Sequence, residues 1–228
     1  MLDTNIILAI VLDNDESYGN AKRYLEYKAT RYVSNTSFIE AKDKLSNDRR
    51  LFLDISDFAR NYSLENRINY LKMDECRADV EKSFLKQSGE IYLLNYATQE
   101  KFDSLVKDFF NNFNEEINSI LIMGENNYLN NHIRNAYKKG VSNLNNFFDE
   151  YKALTFIFCG KYIKTFEMMG MHNKDAVLLD ESYHLHMFLN APVNFVTFDN
   201  GILIHKNKIF ELISKDLIVS NPIEIIAQ

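Results

Sequence analysis

Proline is nearly missing from this chain, with two residues in 228, and glycine is scarce at seven. These are the residues that break helices and build tight turns, so their scarcity argues against a turn-rich sandwich and for long packed helices. Cysteine is equally rare. Cys76 and Cys159 have no paired metal-ligand spacing and give no disulfide framework, so a reducing, cytoplasmic setting is expected. No stretch approaches the roughly 18 uninterrupted apolar residues of a membrane span. No charged leader precedes a secretory apolar region either, because the third residue is Asp3; no membrane partner is expected. An excess of positive charge is also lacking: 26 Lys and Arg face 32 Asp and Glu, a net charge of -6. This balance disfavours nonspecific coating of nucleic acid, whose backbone affinity grows with the phosphates neutralised. It leaves a nuclease open, because carboxylates that hold cations lower the formal charge of the very site that binds an anion.

What is abundant is apolar and aromatic surface: 46% of residues are hydrophobic, with 17 Phe and 13 Tyr. That fills one large core or two small ones. The opening MLDTNIILAIVLDN reads as a short buried strand ending near Asp3, followed by a turn or helix start at Thr4 and Asn5. Residues 20–27 read as a helix, Tyr32 and Val33 as a strand, and the segment after a cap at Ser34 to Ser37 as a helix carrying Glu40. From about Asp54 to Gly170 the pattern is helical. Phe102, Leu105, Val106, Phe109, Phe110, Phe113, Ile117, Ile120 and Leu121 mark one broad apolar face, and Leu144, Phe147, Phe148, Tyr151, Leu154 and Phe158 a second. The C-terminal part returns to alternation, with a helix over HNKDAVLLDESYHLHMFLN, a strand at Val193 to Phe198, another helix, and a last strand in LIVS. Residues 1–228 thus read as one composite domain with residues 54–170 as a helical insertion or subdomain.

Carboxylates fall at informative places in this pattern. Asp3 and Asp199 lie at the C-terminal edges of expected strands, Glu40 early in a helix, and Asp180 on the helix before the last strands. The crevice beyond the carboxyl ends of strands is where open α/β sheets place their sites. Four acids meeting there would be neutralised by hard divalent cations, Mg²⁺ or Mn²⁺, suited to phosphodiester hydrolysis. Asp175 and Glu181 compete with Asp180 for the third place. Asp175 lies about 140° from Asp180 around an ideal helix, so the two should not face one metal together. His184 follows Asp180 by one helical turn, which allows an Asp/His pair, although a surface or hydrogen-bonded role fits it better; His186 should point elsewhere.

With MLDTNIIL, TSFIEAKDKL, DESYHLHMFLN and FVTFDNGIL in view, the chain resembles the PIN-domain family of metal-dependent ribonucleases. The resemblance covers roughly residues 1–50 and 171–228. It implies an α/β fold, a doubly wound parallel sheet flanked by helices, here with a large all-helical insertion. It further implies Mg²⁺- or Mn²⁺-dependent endonucleolytic cleavage, with Asp3, Glu40, Asp180 and Asp199 as metal and catalytic residues and Thr4, Asn5, Thr197 and Asn200 supporting them. RNA is the expected substrate and DNA the alternative; a noncatalytic scaffold and a small-molecule phosphohydrolase are the rival readings. Lys42, Lys44, Arg49 and Arg50 are candidate substrate contacts, with Arg134, Tyr137, Lys138 and Lys139 a second cluster, though solvated helix faces account for both. The large apolar insertion makes a homodimer or an inhibitory protein partner a further expectation.

Overall fold

The computed structural model describes residues 1–12, 18–26, 30–66, 68–92, 99–151, 153–154 and 160–226. They form two compact units, one of Met1–Lys44 with Gly140–Gln228, the other of Leu45–Lys139.

In the first unit the apolar run after Asp3 is a helix, starting at Thr4 where a turn or helix start was expected. The Asp3 carboxylate accepts the Thr4 amide at 2.6 Å and caps α1 (Thr4–Val11), as Asp commonly does at a helix start. The unit continues with α2 (Tyr18–Glu26), β1 (Val33–Ser34) and the start of α3 (Asn35–Glu65). After the second unit come the end of α7 (Asn127–Tyr151), β2 (Ala153–Leu154), α8 (Ile163–Met168) and α9 (Asn173–Leu189). Then follow β3 (Val193–Val196), α10 (Asn200–Leu203), α11 (Lys206–Leu212), β4 (Leu217–Ser220) and α12 (Pro222–Ile226). Asn190 ends α9 in the left-handed conformation at φ 48°, which Asn tolerates better than other side-chain-bearing residues. One core packs Phe166, Leu178, Leu179 and Leu185 against Phe195, Ile209 and Leu217.

Strand structure is sparse. β1 pairs with β2 over two residues and β3 with β4 over four, both parallel, and Leu2 adds single bridges to Val33 and Val196. The expected doubly wound sheet is therefore not formed, and the PIN-domain resemblance is not upheld: the chain is predominantly helical around short, open strand pairs. The physical reason is local. Asp3 caps a helix immediately after Leu2, so the strand expected there shrinks to bridges, and β3 ends at Val196, two residues short of its expected limit at Phe198.

The second unit carries the rest of α3, a 3₁₀ turn (Tyr70–Lys72), α4 (Met73–Tyr92), α5 (Gln99–Asn112), α6 (Asn114–Met123) and the start of α7. The helical periodicity is obeyed here: Phe102, Val106, Phe109 and Phe110 on α5 and Ile117, Ile120 and Leu121 on α6 are buried, packed with Leu51, Ile55 and Phe84. The apolar face is continuous in sequence but broken in space between α5 and α6, at Phe113. Gly124 stops α6 with φ 67° and donates its amide to the Ile120 carbonyl at 2.7 Å, the left-handed helix end that glycine adopts without strain. Leu144, Phe147 and Phe148 on α7 are buried as expected, while Phe158 and the side chain of Leu154 lie outside the described residues, as does Cys159. Among the described residues no helix is long and apolar enough to cross a membrane.

Candidate functional site

The polar residues marked in the sequence do assemble in part. Asp3 is buried, its two oxygens taken by the Thr4 amide and by the Thr197 hydroxyl, which donates at 2.6 Å. Thr197 Oγ1 in turn accepts from Asn5 Nδ2 at 3.2 Å and from the Asp199 amide at 2.8 Å, while Asn5 Oδ1 accepts the Phe198 amide at 3.2 Å. Thr4 Oγ1 donates to Glu40 Oε2 at 2.6 Å, and Lys174 Nζ lies 4.0 Å from the other Glu40 oxygen. Asp199 caps α10 by accepting the Gly201 amide at 2.7 Å, and Asn200 opens that helix on the exposed side. The supporting residues therefore spend their hydrogen bonds on one another and on backbone, tying the N-terminal segment to residues 196–199 and to α3.

Desolvation dominates the electrostatics. Burial pushes the Asp3 carboxyl up to about 7, and the neighbouring charges of Asp175 and Glu40 push the same way, against the hydrogen bonds from Thr197 and Thr4. The acid on α9 that bears on Asp3 is thus Asp175 and not Asp180. Asp180 is wholly buried and accepts the amides of Gly160 at 3.1 Å and Tyr162 at 2.8 Å, with His184 Nε2 3.2 Å from Oδ2. Glu181 accepts from Thr36 Oγ1 at 2.6 Å, and burial raises its carboxyl above the usual range. His186 faces elsewhere, with Nδ1 2.8 Å from the Ala191 carbonyl.

The expected four-acid metal centre is corrected accordingly. Among the described residues no group of three or more His, Cys, Asp or Glu side chains is placed to hold a metal ion. Asp180 serves the 160–162 backbone and Asp199 a helix cap. Without such a group among the described residues, the metal-dependent endonuclease or ribonuclease activity expected from the sequence loses its support.

The candidate substrate cations are ordinary by position. Lys42, Lys44 and Arg50 are exposed on α3, whereas Arg49 is half-buried with its guanidinium 4.7 Å from the centre of the Tyr137 ring. Arg50 lies 5.8 Å from the Tyr92 ring. Both contacts are cation–π packing within the second unit.

What the sequence reading missed is a set of exposed apolar residues on that second unit. Ser63 Oγ donates to the Leu121 carbonyl at 2.8 Å, so the ends of α3 and α6 lie side by side. A Cβ built on Gly124 would come within 3.3 Å of Leu64 Cδ2. The exposed large apolar residues described in this unit are Leu64 at the end of α3, Tyr70 and Leu71 in the 3₁₀ turn, Ile122 and Met123 at the end of α6, and Tyr128 at the start of α7. All six are about half exposed or more, and Leu71 is 97% exposed. Scattered apolar residues on a surface are normal, and grouped ones are the exception. Helical periodicity could not flag them, because it marks an apolar residue without telling which neighbour covers it. The one available signal was the bunching of large apolar residues at element ends.

No family model, no curated protein and no solved structure matches this chain.

Proposed function

We propose that this chain is a protein-association module, with the exposed apolar residues of its helical unit as the docking surface. The observation that carries this reading is the exposure of Leu64, Tyr70, Leu71, Ile122, Met123 and Tyr128 on a unit whose other described large apolar side chains are buried or partly buried. Leaving these side chains in water forfeits roughly 25 cal/mol for each Å² of apolar surface that a partner could cover. The exposed charges beside these residues favour protein over nucleic acid by their balance: Glu65 follows Leu64, Glu125 follows Gly124 and Glu75 stands one turn after Leu71, against Lys72, which pairs with Glu75. A phosphate backbone would be repelled by these carboxylates, and an anionic lipid surface likewise.

A photo-reactive residue at position 71 tests the reading in the cell that makes the protein. It should give a covalent protein adduct that disappears when Met123→Asp is added, while the same probe at exposed Lys82 gives none. Absence of any adduct at 71, or equal adducts at 71 and 82, would refute the docking role.

A further inference from the structure

We propose that the first unit carries a small-molecule site at the amino end of β3, a cleft that takes an apolar carboxylic acid bearing an N–H donor. It belongs to the other unit from the docking surface and stands independently of it. The cleft has a volume of about 330 Å³, at the lower end of the range that small-ligand sites occupy. α2, the chain just before β1, the end of α9, the start of β3 and α12 each supply part of its wall. Thr197 and Asp199 lie past the other end of β3, and neither they nor Asp3 line it.

Most of the wall is apolar. Leu2, Leu189, Val193 and Ile225 give it aliphatic surface, which fits a short branched hydrocarbon body. Two polar groups fix the orientation of a ligand. Arg31 brings a positive charge held in place: its Nη2 donates to the carbonyls of Tyr24 at 3.1 Å and Leu25 at 2.6 Å, and its guanidinium carbon lies 5.6 Å from the centre of the Tyr24 ring. No acidic side chain lines the cleft among the described residues, so the charge there favours an anion, and a planar guanidinium suits a carboxylate. Asn194 is the second group. Its side-chain oxygen is buried and meets no hydrogen-bond donor among the described residues. A buried acceptor without a donor is unfavourable, and the soft terminal torsion of Asn lets the carboxamide turn this oxygen to a ligand N–H. Carboxylate, N–H and branched body together describe an N-acylated aliphatic amino acid.

The test uses three probes on the full chain, followed by the amide NMR shifts of Val193 and Asn194. N-acetyl-L-leucine has all three features; 4-methylpentanoate lacks the N–H, and N-acetyl-L-leucinamide lacks the carboxylate. The first should saturate, and the other two should bind at least about tenfold more weakly. Arg31→Gln should weaken N-acetyl-L-leucine by about tenfold or more and leave N-acetyl-L-leucinamide within about twofold. Leu189→Trp fills the cleft from the end of α9 and should remove binding while the urea midpoint shows a folded chain; if Arg31→Gln fails to fold, this variant and the three-probe comparison decide. No saturation by N-acetyl-L-leucine up to about 10 mM overturns the site, as do equal affinities for the three probes or undiminished binding to Leu189→Trp. The adduct at position 71 is unaffected by any of these outcomes, so the two readings fail separately.

Discussion

Replacing Asp3 by asparagine is the perturbation whose consequence can be followed furthest. The carboxyl ordinarily titrates at 3.8 and burial lifts it to about 7 in the folded protein. A shift of roughly three units, at 1.36 kcal/mol each, means that the ionised form costs the folded state about 4 kcal/mol. The folded pKa is raised, so the native state binds the proton more tightly than the unfolded chain. The contribution of Asp3 is complete below about pH 4, declines as the pH rises, and is lost above about pH 7. The replacement side chain carries no charge at any pH, and asparagine caps a helix as well as aspartate does, so α1 keeps its start.

The amide does lose something. Its oxygen can accept from Thr4, but its NH₂ then faces a Thr197 hydroxyl already accepting from Asn5 and from the Asp199 amide. That mismatch costs about 1 to 1.5 kcal/mol, one ordinary hydrogen bond. Asp3→Asn should therefore be about 1 kcal/mol less stable than the wild type near pH 4 and about 2 to 3 kcal/mol more stable near pH 8, crossing between. Urea unfolding at a series of pH values measures both curves. Glu181, whose carboxyl is also raised by burial, tilts both proteins alike, so the difference between the curves isolates Asp3. Parallel curves from pH 4 to 8, within roughly 0.5 kcal/mol, would show that ionised Asp3 carries no burial cost and would refute the reasoning.

Other outcomes follow from the same contacts. Thr197→Val removes the hydroxyl that Asp3, Asn5 and the Asp199 amide share, and should destabilise by about 2 to 4 kcal/mol in urea. Asp180→Ala strips the acceptor from the Gly160 and Tyr162 amides; a loss of about 2 to 5 kcal/mol, with faster hydrogen exchange at those two amides, is expected. Phe109→Ala opens a cavity in the helical unit and should cost about 3 to 5 kcal/mol by the same unfolding assay. Leu71→Asp, at a position 97% exposed, should leave the stability of the isolated chain within about 0.5 kcal/mol, which thermal unfolding of the monomer checks.

Helices were the most legible part of the chain, because a repeating apolar face announces itself over many residues. The face from Phe102 to Leu121 is buried nearly as its spacing requires, and the helix over residues 173–189 lies where its pattern placed it. Strands were less legible. The strand expected to end near Asp3 is reduced to the single bridges of Leu2, and β3 stops two residues short of Phe198. The polar residues were half legible: Asp3, Thr4, Asn5, Glu40 and Thr197 do meet, but as a hydrogen-bonded structural network. Asp180 was chosen over Asp175 on spacing, and its buried contacts with Gly160 and Tyr162 could not be foreseen from positions 20 and 18 residues earlier.

By itself, then, the order of residues determined where this chain is helical, that it holds enough apolar surface to fill its cores, and which polar side chains border the short strands. Those properties are local: they depend on periodicity and on neighbours a few residues away. Tertiary structure alone decided which carboxylates are spent on backbone amides, which charge reaches Asp3, and which apolar side chains find no cover. A side chain's partner, and the water it does or does not displace, belong to segments brought together from far apart in the chain. Ile117 and Leu71 are therefore alike as apolar residues in the sequence, yet the first is held in a core and the second is left facing water.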